Sequence, residues 1–427
     1  MGASCTRVAR GPGIVLVILD TVRADHLGVY GYARDTSPHL DRLAAEGERF
    51  EEAYSQAPWT LPAVATILTG QPPHVHGASR GQRGLHPIRP ETPTLAERLR
   101  GSGYRTAAIV NVVFCSSESG LDRGFERFDY QGSDATNVGT RNAEATTDAA
   151  LDWLRGLKRG EPFFLVVHYF DAHLTYDPPP PYDTLYEPDA TGRIATGFGS
   201  FRQVRQIADG TLRLTDRQKE SLRARYDGEI RYVDEQFGRL RRGLEDLALW
   251  DRSLVLVVSD HGEELWDHGG FEHGHTHYRE LIRIPLILRR PGAPSGLVHE
   301  ERVRQTDIAP TVLEFAFPER APDLPGKVLG GGGARFSVAE GSLWAGDLAS
   351  VRAQGGTLIR NRSTGTWEFF GAEDPGETRN LWSADLPAAG ELAEVLNALP
   401  PSRIGEPGGW TPSQEQIERL RSLGYIR

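Results

Sequence analysis

The chain is short of the features that mark secreted scaffolds, membrane proteins and nucleic-acid binders. Of its 427 residues two are cysteine, Cys5 and Cys115, enough for one disulfide but not for a disulfide framework. No run of about 18 apolar residues exists, so no segment reads as a membrane span. The N-terminus has no apolar stretch of about 7–15 residues ahead of a small-residue cleavage site. That predicts no signal peptide and a cytoplasmic chain by default, periplasmic or extracellular if an upstream signal was removed. The opening Met1-Gly2-Ala3-Ser4-Cys5-Thr6 fits the loose myristoylation pattern, a match that short sequences give often by chance. Lysine is almost missing: Lys158, Lys219 and Lys327 are the lysines, and arginine carries the rest of the positive charge. A net charge of -10 argues against nucleic acid as a standing partner.

What is present suits a globular fold with a sizeable core: 39% hydrophobic and 25% charged residues. Ile14–Leu19 (IVLVIL) is a continuous apolar, β-branched run of the kind buried on both faces of a parallel sheet. Thr106–Val113, Phe163–His168 (FFLVVH), Leu254–Val258 (LVLVV) and Ile284–Leu288 read as further strands. Helices are expected at Pro38–Glu46, Pro62–Leu68, Thr94–Arg100 and Asn142–Leu157. Tyr226, Ile230, Val233, Phe237, Leu240 and Leu244 make the apolar stripe of a long amphipathic helix. Alternating strands and helices predict an α/β fold with a large, mainly parallel sheet. A long polar loop is expected from Pro178 to Gly210. The glycines at Gly330–Gly333 divide a main domain, 1–334, from a small C-terminal α+β subdomain, 335–427. Within the latter, Leu358–Arg362 and Trp367–Phe370 read as a hairpin and Pro412–Leu423 as a closing helix capped by Ser413.

Polar residues that suit chemistry cluster at the C-terminal ends of these strands, the edge where open α/β sheets bind ligands. Asp20 follows the first strand, His168, Asp171 and His173 the third, and Asp260-His261 the fourth. Two carboxylates and an imidazole make a first shell for Zn²⁺, Mn²⁺ or Ca²⁺. Any one Asp at such a junction is more often a helix cap. The pairing of Asp20 with Asp260-His261 shifts the reading towards metal. Five of the 13 histidines lie between 261 and 277, namely His261, His268, His273, His275 and His277. Thr60 precedes Leu61-Pro62 at an expected helix start. There a hydroxyl is usually an N-cap, but it can also attack an anion held by the helix N–H groups.

These residues carry a resemblance to the sulfatases of the alkaline phosphatase superfamily. Val15–Gly77 is similar to their N-terminal signature. So are FFLVVHYFDAHLTYDPPP (163–180), YDGEIRYVDEQFGRL (226–240), SDHGEELWDHGGFEHGH (259–275), RIPLILR (283–289), QTDIAPTVL (305–313), EDPGETRNL (373–381) and IERLRSLGYIR (417–427). The resemblance implies an alkaline phosphatase-like three-layer sandwich and a metal-dependent ester hydrolase. It also implies Asp20, Thr60, Asp260 and His261 as metal ligands. The chain departs from the family pattern in places. Sulfatases carry two adjacent aspartates after the first strand, whereas Asp20 is followed by Thr21. Their nucleophile is a Cys or Ser, converted to formylglycine, in a Cys/Ser-x-Pro-Ser/Ala-Arg motif. The corresponding stretch here is Thr60-Leu61-Pro62-Ala63-Val64, so no formylglycine is expected. The family's lysine after the Asp-His segment is absent, with His273 and His275 near its place.

Thr at the nucleophile position resembles phosphoethanolamine transferases, lipoteichoic acid synthases and nucleotide pyrophosphatases/phosphodiesterases, which turn a metal-bound threonine on phosphoryl groups. The expectation is an ester hydrolase in which Thr60 attacks while His173, His273, His275 and Arg23 hold the non-bridging oxygens and protonate the leaving group. One divalent ion is expected. A two-metal variant would use Asp171 or His173 with His273 and His275. His168, ending a buried strand, reads as structural. The substrate is a sulfate or phosphate ester, small or linked to a glycan or lipid, with phosphoester chemistry favoured. The alternative is a catalytically silent sulfatase-like binding protein. The sequence gives no oligomeric state.

Overall fold

A computed structural model of the chain describes residues 11–82, 84–131, 141–187, 193–320, 323–410 and 413–414. Its centre is an eight-stranded sheet of β1 (Gly13–Leu19), β2 (Glu48–Tyr54), β3 (Arg105–Val110), β4 (Arg127–Tyr130), β5 (Phe163–Tyr169), β6 (Ser253–Ser259), β7 (Leu286–Arg289) and β8 (Leu297–Arg304). They lie side by side in the order β8-β2-β7-β6-β1-β5-β3-β4. Every pairing is parallel except those of β7, which runs antiparallel to β6 and β2. The most apolar strands take the middle. β1 is buried along its whole length between β5 and β6, with Gly13 opposite Phe163 and Ser253 and Leu19 opposite Tyr169 and Ser259.

Alternation sorts the side chains into two cores. Ile14, Leu16 and Ile18 join Phe164, Val166, Leu254, Leu256 and Val258 on one face. That face is covered by α2 (Thr60–Thr69), α3 (Leu95–Arg100) and α7 (Ile308–Ala316). Val15, Val17 and Leu19 point the other way, under α1 (Pro38–Ala45), α4 (Ala143–Arg155) and the 31-residue α6 (Asp216–Asp246). The result is the expected three-layer α/β/α sandwich. Side chains cap helix starts: Thr94 accepts from the Glu97 N–H at the start of α3, Asn142 from the Ala145 N–H at the start of α4, and Thr215 from the Gln218 N–H at the start of α6.

One element differs from the sequence reading. The polar stretch expected to be loop contains the eight-residue α5 (Phe201–Ala208), whose start is closed by Gln203 Oε1 accepting the Ser200 N–H at 3.1 Å. Val204 and Ile207 pack against the second core. Two apolar anchors in a polar sequence are too few to give a helical period.

From Ser337 an antiparallel sheet follows, β9 (Ser337–Glu340), β10 (Leu348–Ala353), β11 (Gly356–Asn361) and β12 (Thr366–Gly371), the last two forming the expected hairpin. Ala389, Leu392 and Leu396 of α8 (Pro387–Ala398) pack on one of its faces. Leu348, Ile359 and Phe370 turn the other face to Tyr278 of the main domain. The closing helix read at Pro412–Leu423 and its Ser413 cap fall almost wholly outside the described residues. Cys115 is a buried free thiol, and Cys5 lies outside the described residues. No helix among the described residues is long and apolar enough to cross a membrane.

Candidate active site

The ladder at the sheet centre runs one residue past the strand ends. The Asp20 N–H donates to the Tyr169 carbonyl oxygen at 2.9 Å, and the Asp260 N–H to that of Leu19 at 3.2 Å. Ile18 stands opposite His168 on one side and Val258 on the other. Counting in twos along adjacent strands therefore puts His168, Asp20 and Asp260 on the face covered by α2. All three side chains are fully buried. A His168 nitrogen and one carboxylate oxygen from each aspartate lie within 4.8 Å of one another. His168 Nε2 is 3.2 Å from Asp20 Oδ2.

This cluster lacks internal partners. Neither His168 nitrogen, neither Asp20 oxygen nor Asp260 Oδ2 has a hydrogen-bond partner among the described residues. The other Asp260 oxygen, Oδ1, accepts the Thr21 N–H at 3.2 Å and the His261 N–H at 2.8 Å. Each orphaned buried polar atom costs about 1–3 kcal/mol. Burial, and after it the charge of Asp260, pushes the Asp20 carboxyl well above the usual carboxylate range. Burial pulls His168 down to about 4, against the pull of Asp260, so the imidazole is neutral at pH 7. Two crowded carboxylates and a neutral imidazole with unmet lone pairs fit a divalent cation, which would satisfy all three at once.

Thr60 is the first residue of α2 and is fully buried. Its Oγ1 is 3.4 Å from His261 Nε2. The His261 tautomer is fixed from behind. Nδ1 lies 2.9 Å from the Gly262 carbonyl oxygen, which can only accept, so Nδ1 carries the proton and Nε2 the lone pair. That lone pair faces Thr60 and Asp260, whose Oδ2 is 3.4 Å away.

Two more histidines pack beside His261. The His273 ring packs 4.5 Å from His261 and 5.0 Å from His173, centroid to centroid. His173 Nδ1 donates to the Leu174 carbonyl oxygen at 2.7 Å. Burial, then the neighbouring His273, lowers His173 to about 3, and burial also holds His273 well below the usual histidine range. His273 Nδ1 is 3.0 Å from Glu263 Oε1, while Glu263 Oε2 accepts the Tyr176 hydroxyl at 2.9 Å. Burial raises Glu263 to about 7 against the pull of His173 and His261.

The structure thus gathers Asp20, Thr60, His173, Asp260, His261 and His273. It corrects four expectations. Arg23 is not available to a substrate. Its five N–H groups meet Asp25 (2.9 and 2.7 Å), Asp267 (2.7 and 3.0 Å) and the Glu263 carbonyl oxygen (3.1 Å), which leaves no donor over. His275 turns to Glu264, with Nε2 2.7 Å from Oε2. Asp171 accepts the Ala143 N–H at 2.8 Å at the start of α4, and neither it nor His173 forms a converging group of three ligands with His273 and His275 among the described residues. His168, read as structural, stands in the one such group that could hold a metal. The sequence reading also passed over Glu263 and Tyr176. Nothing in a one-dimensional pattern marks a carboxylate that acts on a histidine ten residues further on.

Comparison with known proteins gives the family and the fold. Residues 12–316 match the family model described as Sulfatase. An arylsulfatase of Clostridium perfringens is 26% identical over 362 residues, which cover 71% of this chain and 75% of that protein. An N-acetylglucosamine-6-O-sulfatase of Bacteroides thetaiotaomicron is 25% identical over 394 residues, covering 74% and 70%. A phosphonate monoester hydrolase structure from Silicibacter pomeroyi superposes with a TM-score of 0.72 over 90% of this chain and 94% of that one. At 24% identity the likeness is one of fold.

Proposed function

The chain belongs to the sulfatase family of ester hydrolases, and on that premise we propose that it cleaves phosphate mono- or diesters with the Thr60 hydroxyl as nucleophile. The observation that carries this reading is the Thr60 hydroxyl itself. It is buried at the first turn of α2, 3.4 Å from His261 Nε2, on the sheet face where His168, Asp20 and Asp260 converge.

Asp20, Asp260 and His261, with the Thr60 oxygen, would hold the metal. When bound, it lowers the pKa of the threonine hydroxyl and offsets charge on the ester. The α2 N-terminus turns its free N–H groups and positive dipole end towards the ester's oxygens. Thr60 Oγ1 then attacks in line, its bond to phosphorus forming as the bond to the leaving oxygen breaks. Thr60 gives its proton to solvent, and the leaving oxygen takes one up from water. His173 and His273 are neutral rings with Nδ1 turned to the Leu174 carbonyl oxygen and to Glu263, so they position the ester by packing and do not donate a proton to it. Glu263 orients the His273 ring through Nδ1. Water or an acceptor alcohol then attacks the phosphothreonine, freeing the Thr60 hydroxyl as the phosphoryl group leaves with the acceptor. Threonine cannot become formylglycine, which favours phosphate over the sulfate esters that the curated relatives' names describe.

The test is turnover of nitrophenyl phosphate, a nitrophenyl phosphodiester and nitrophenyl sulfate by metal-reconstituted protein, with Thr60→Ala alongside. Phosphoester turnover that falls by roughly 10³-fold or more in Thr60→Ala supports the reading. Sulfate turnover that survives the substitution overturns the nucleophile. Tight metal binding without turnover of any ester overturns the enzyme in favour of a binding protein.

A further inference from the structure

We propose that His168 is itself a metal ligand, and that its imidazole makes this centre prefer Zn²⁺ to Ca²⁺. The inference rests on the metal-dependent reading above and adds the class of ion.

The argument starts from how each histidine is satisfied. His173 and His261 each lock Nδ1 onto a backbone carbonyl oxygen. His168 is as deeply buried, yet neither of its nitrogens has a hydrogen-bond partner among the described residues. Packing alone does not explain this. Its ring meets Phe170 only obliquely, with centroids 6.4 Å apart, and a buried imidazole placed for packing ordinarily keeps one nitrogen bonded. What His168 faces is Asp20 Oδ2 at 3.2 Å and, through Asp20, the unpaired Oδ2 of Asp260.

The donor count decides the ion. Ca²⁺ takes six to eight oxygens, typically several carboxylates and carbonyls. At this cluster the oxygen donors are Asp20, Asp260 and the Thr60 hydroxyl. Thr21 is next to Asp20 but turned away: its hydroxyl donates to the Ala172 carbonyl oxygen at 2.9 Å and its N–H to Asp260. The backbone of Thr21 is left-handed, with φ 59°, an unusual state for a β-branched residue and one held by these bonds and by the Tyr226 hydroxyl on its carbonyl oxygen. With that side chain oriented away, the donors that converge among the described residues are two carboxylates and the His168 imidazole, with His261 Nε2 beside them, 3.4 Å from Asp260 Oδ2. Imidazole suits Zn²⁺ and its neighbours, and affinity for such a site rises from Mn²⁺ to Zn²⁺.

The test is equilibrium dialysis of the full chain, stripped with chelator, against Zn²⁺, Mn²⁺ or Ca²⁺ separately, with bound metal read by elemental analysis. The expected result is one Zn²⁺ per chain and Ca²⁺ weaker by roughly 100-fold or more. His168→Phe, which keeps a ring of similar size and removes both nitrogens, should weaken Zn²⁺ by at least roughly 10–100-fold, the loss typical of a mere supporting residue. Calcium held as tightly as zinc overturns the proposal, as does unchanged zinc affinity in a folded His168→Phe. If that variant fails to fold, the wild-type chain loaded with Cu²⁺ decides the matter. A nitrogen coupling in its electron paramagnetic resonance spectrum that survives His261→Ala supports His168 as a ligand, and loss of all nitrogen coupling in His261→Ala overturns it. None of these measurements needs turnover, so an inactive protein that binds zinc through His168 would sink the proposed function and leave the metal assignment standing.

Discussion

Arg352 and Glu377 form a buried ion pair where the C-terminal sheet meets the main domain, with Nη2 3.0 Å from Oε1 and 3.1 Å from Oε2. Glu377 also reaches across the boundary. Its Oε2 accepts the Arg279 N–H at 2.7 Å, and its carbonyl oxygen faces His268 Nε2 at 2.9 Å. Removing one partner of a buried pair strands the other charge. Glu377→Ala should therefore cost about 3–5 kcal/mol, whereas replacing both residues with apolar ones of similar volume should cost far less. Denaturant unfolding of the single and double variants measures the difference. Equal losses would mean that the pair is not what joins the two sheets.

His268 gives the protein a stability component that depends on pH. Burial pulls its pKa down, but Glu280, with Oε1 2.7 Å from Nδ1, and the Glu377 carbonyl oxygen outweigh this and raise it to about 9. The folded value lies above the usual unfolded value of about 6.5. The contribution is therefore complete below about pH 6.5 and is lost as pH climbs through about 9. Unfolding free energies compared for wild type and His268→Gln should converge across that window. A constant gap would show that the proton on His268 does not matter to folding.

Burial, and after it the charge of Asp260, makes the Asp20 carboxylate costly when no cation lies beside it. Chelation should lower the melting temperature of the wild type. Asp20→Asn should melt at or above the chelated wild type and lose the rise that added metal gives, because it removes both the repulsion and a ligand. A variant that still gains stability from metal would exclude Asp20 as a ligand. Melting curves with and without Zn²⁺ suffice.

Gly262 follows the Asp-His pair and has no room for a side chain. A Cβ there would sit 1.9 Å from the Glu280 carbonyl oxygen, a backbone atom that cannot swing aside. Gly262→Ala should move the Asp260–Glu263 turn and lower kcat by roughly 10²-fold, the penalty expected of a displacement of about 1 Å at a catalytic group. Wild-type kcat in that variant would mean that the turn tolerates more movement than His261 and Thr60 are thought to allow.

Much of the architecture could be read from periodicity alone. The runs at Ile14–Leu19, Phe163–His168 and Leu254–Val258 announced buried parallel strands because both faces needed covering. Asp20 and Asp260 stood out together, because two buried strands each followed by a carboxylate, one of them joined to His261, are harder to explain as helix caps than either acid alone. His168 was legible in principle. It shares the even-numbered face of its strand with Val166, as Asp20 shares that of Ile18, but its relevance depends on β5 lying next to β1, which strand order and not sequence decides. Arg23 and His275 failed the other way. Charge type and nearness along the chain suggested site residues, and the fold supplied Asp25, Asp267 and Glu264 to occupy them. The helix Phe201–Ala208 was missed because two apolar anchors in a polar stretch carry no period.

The three central strands also fix when the site can exist. His168, Asp20 and Asp260 come from chain segments far apart in sequence, and β1, the earliest, is the one that ends up between the other two. No fragment that lacks β5 or β6 presents the whole set, so a partly made or partly unfolded chain offers the ion at most two of the three. With the proposed ligands, metal capture would be a late event that follows the joining of β1, β5 and β6. An occupied site would certify that those three strands lie side by side in register.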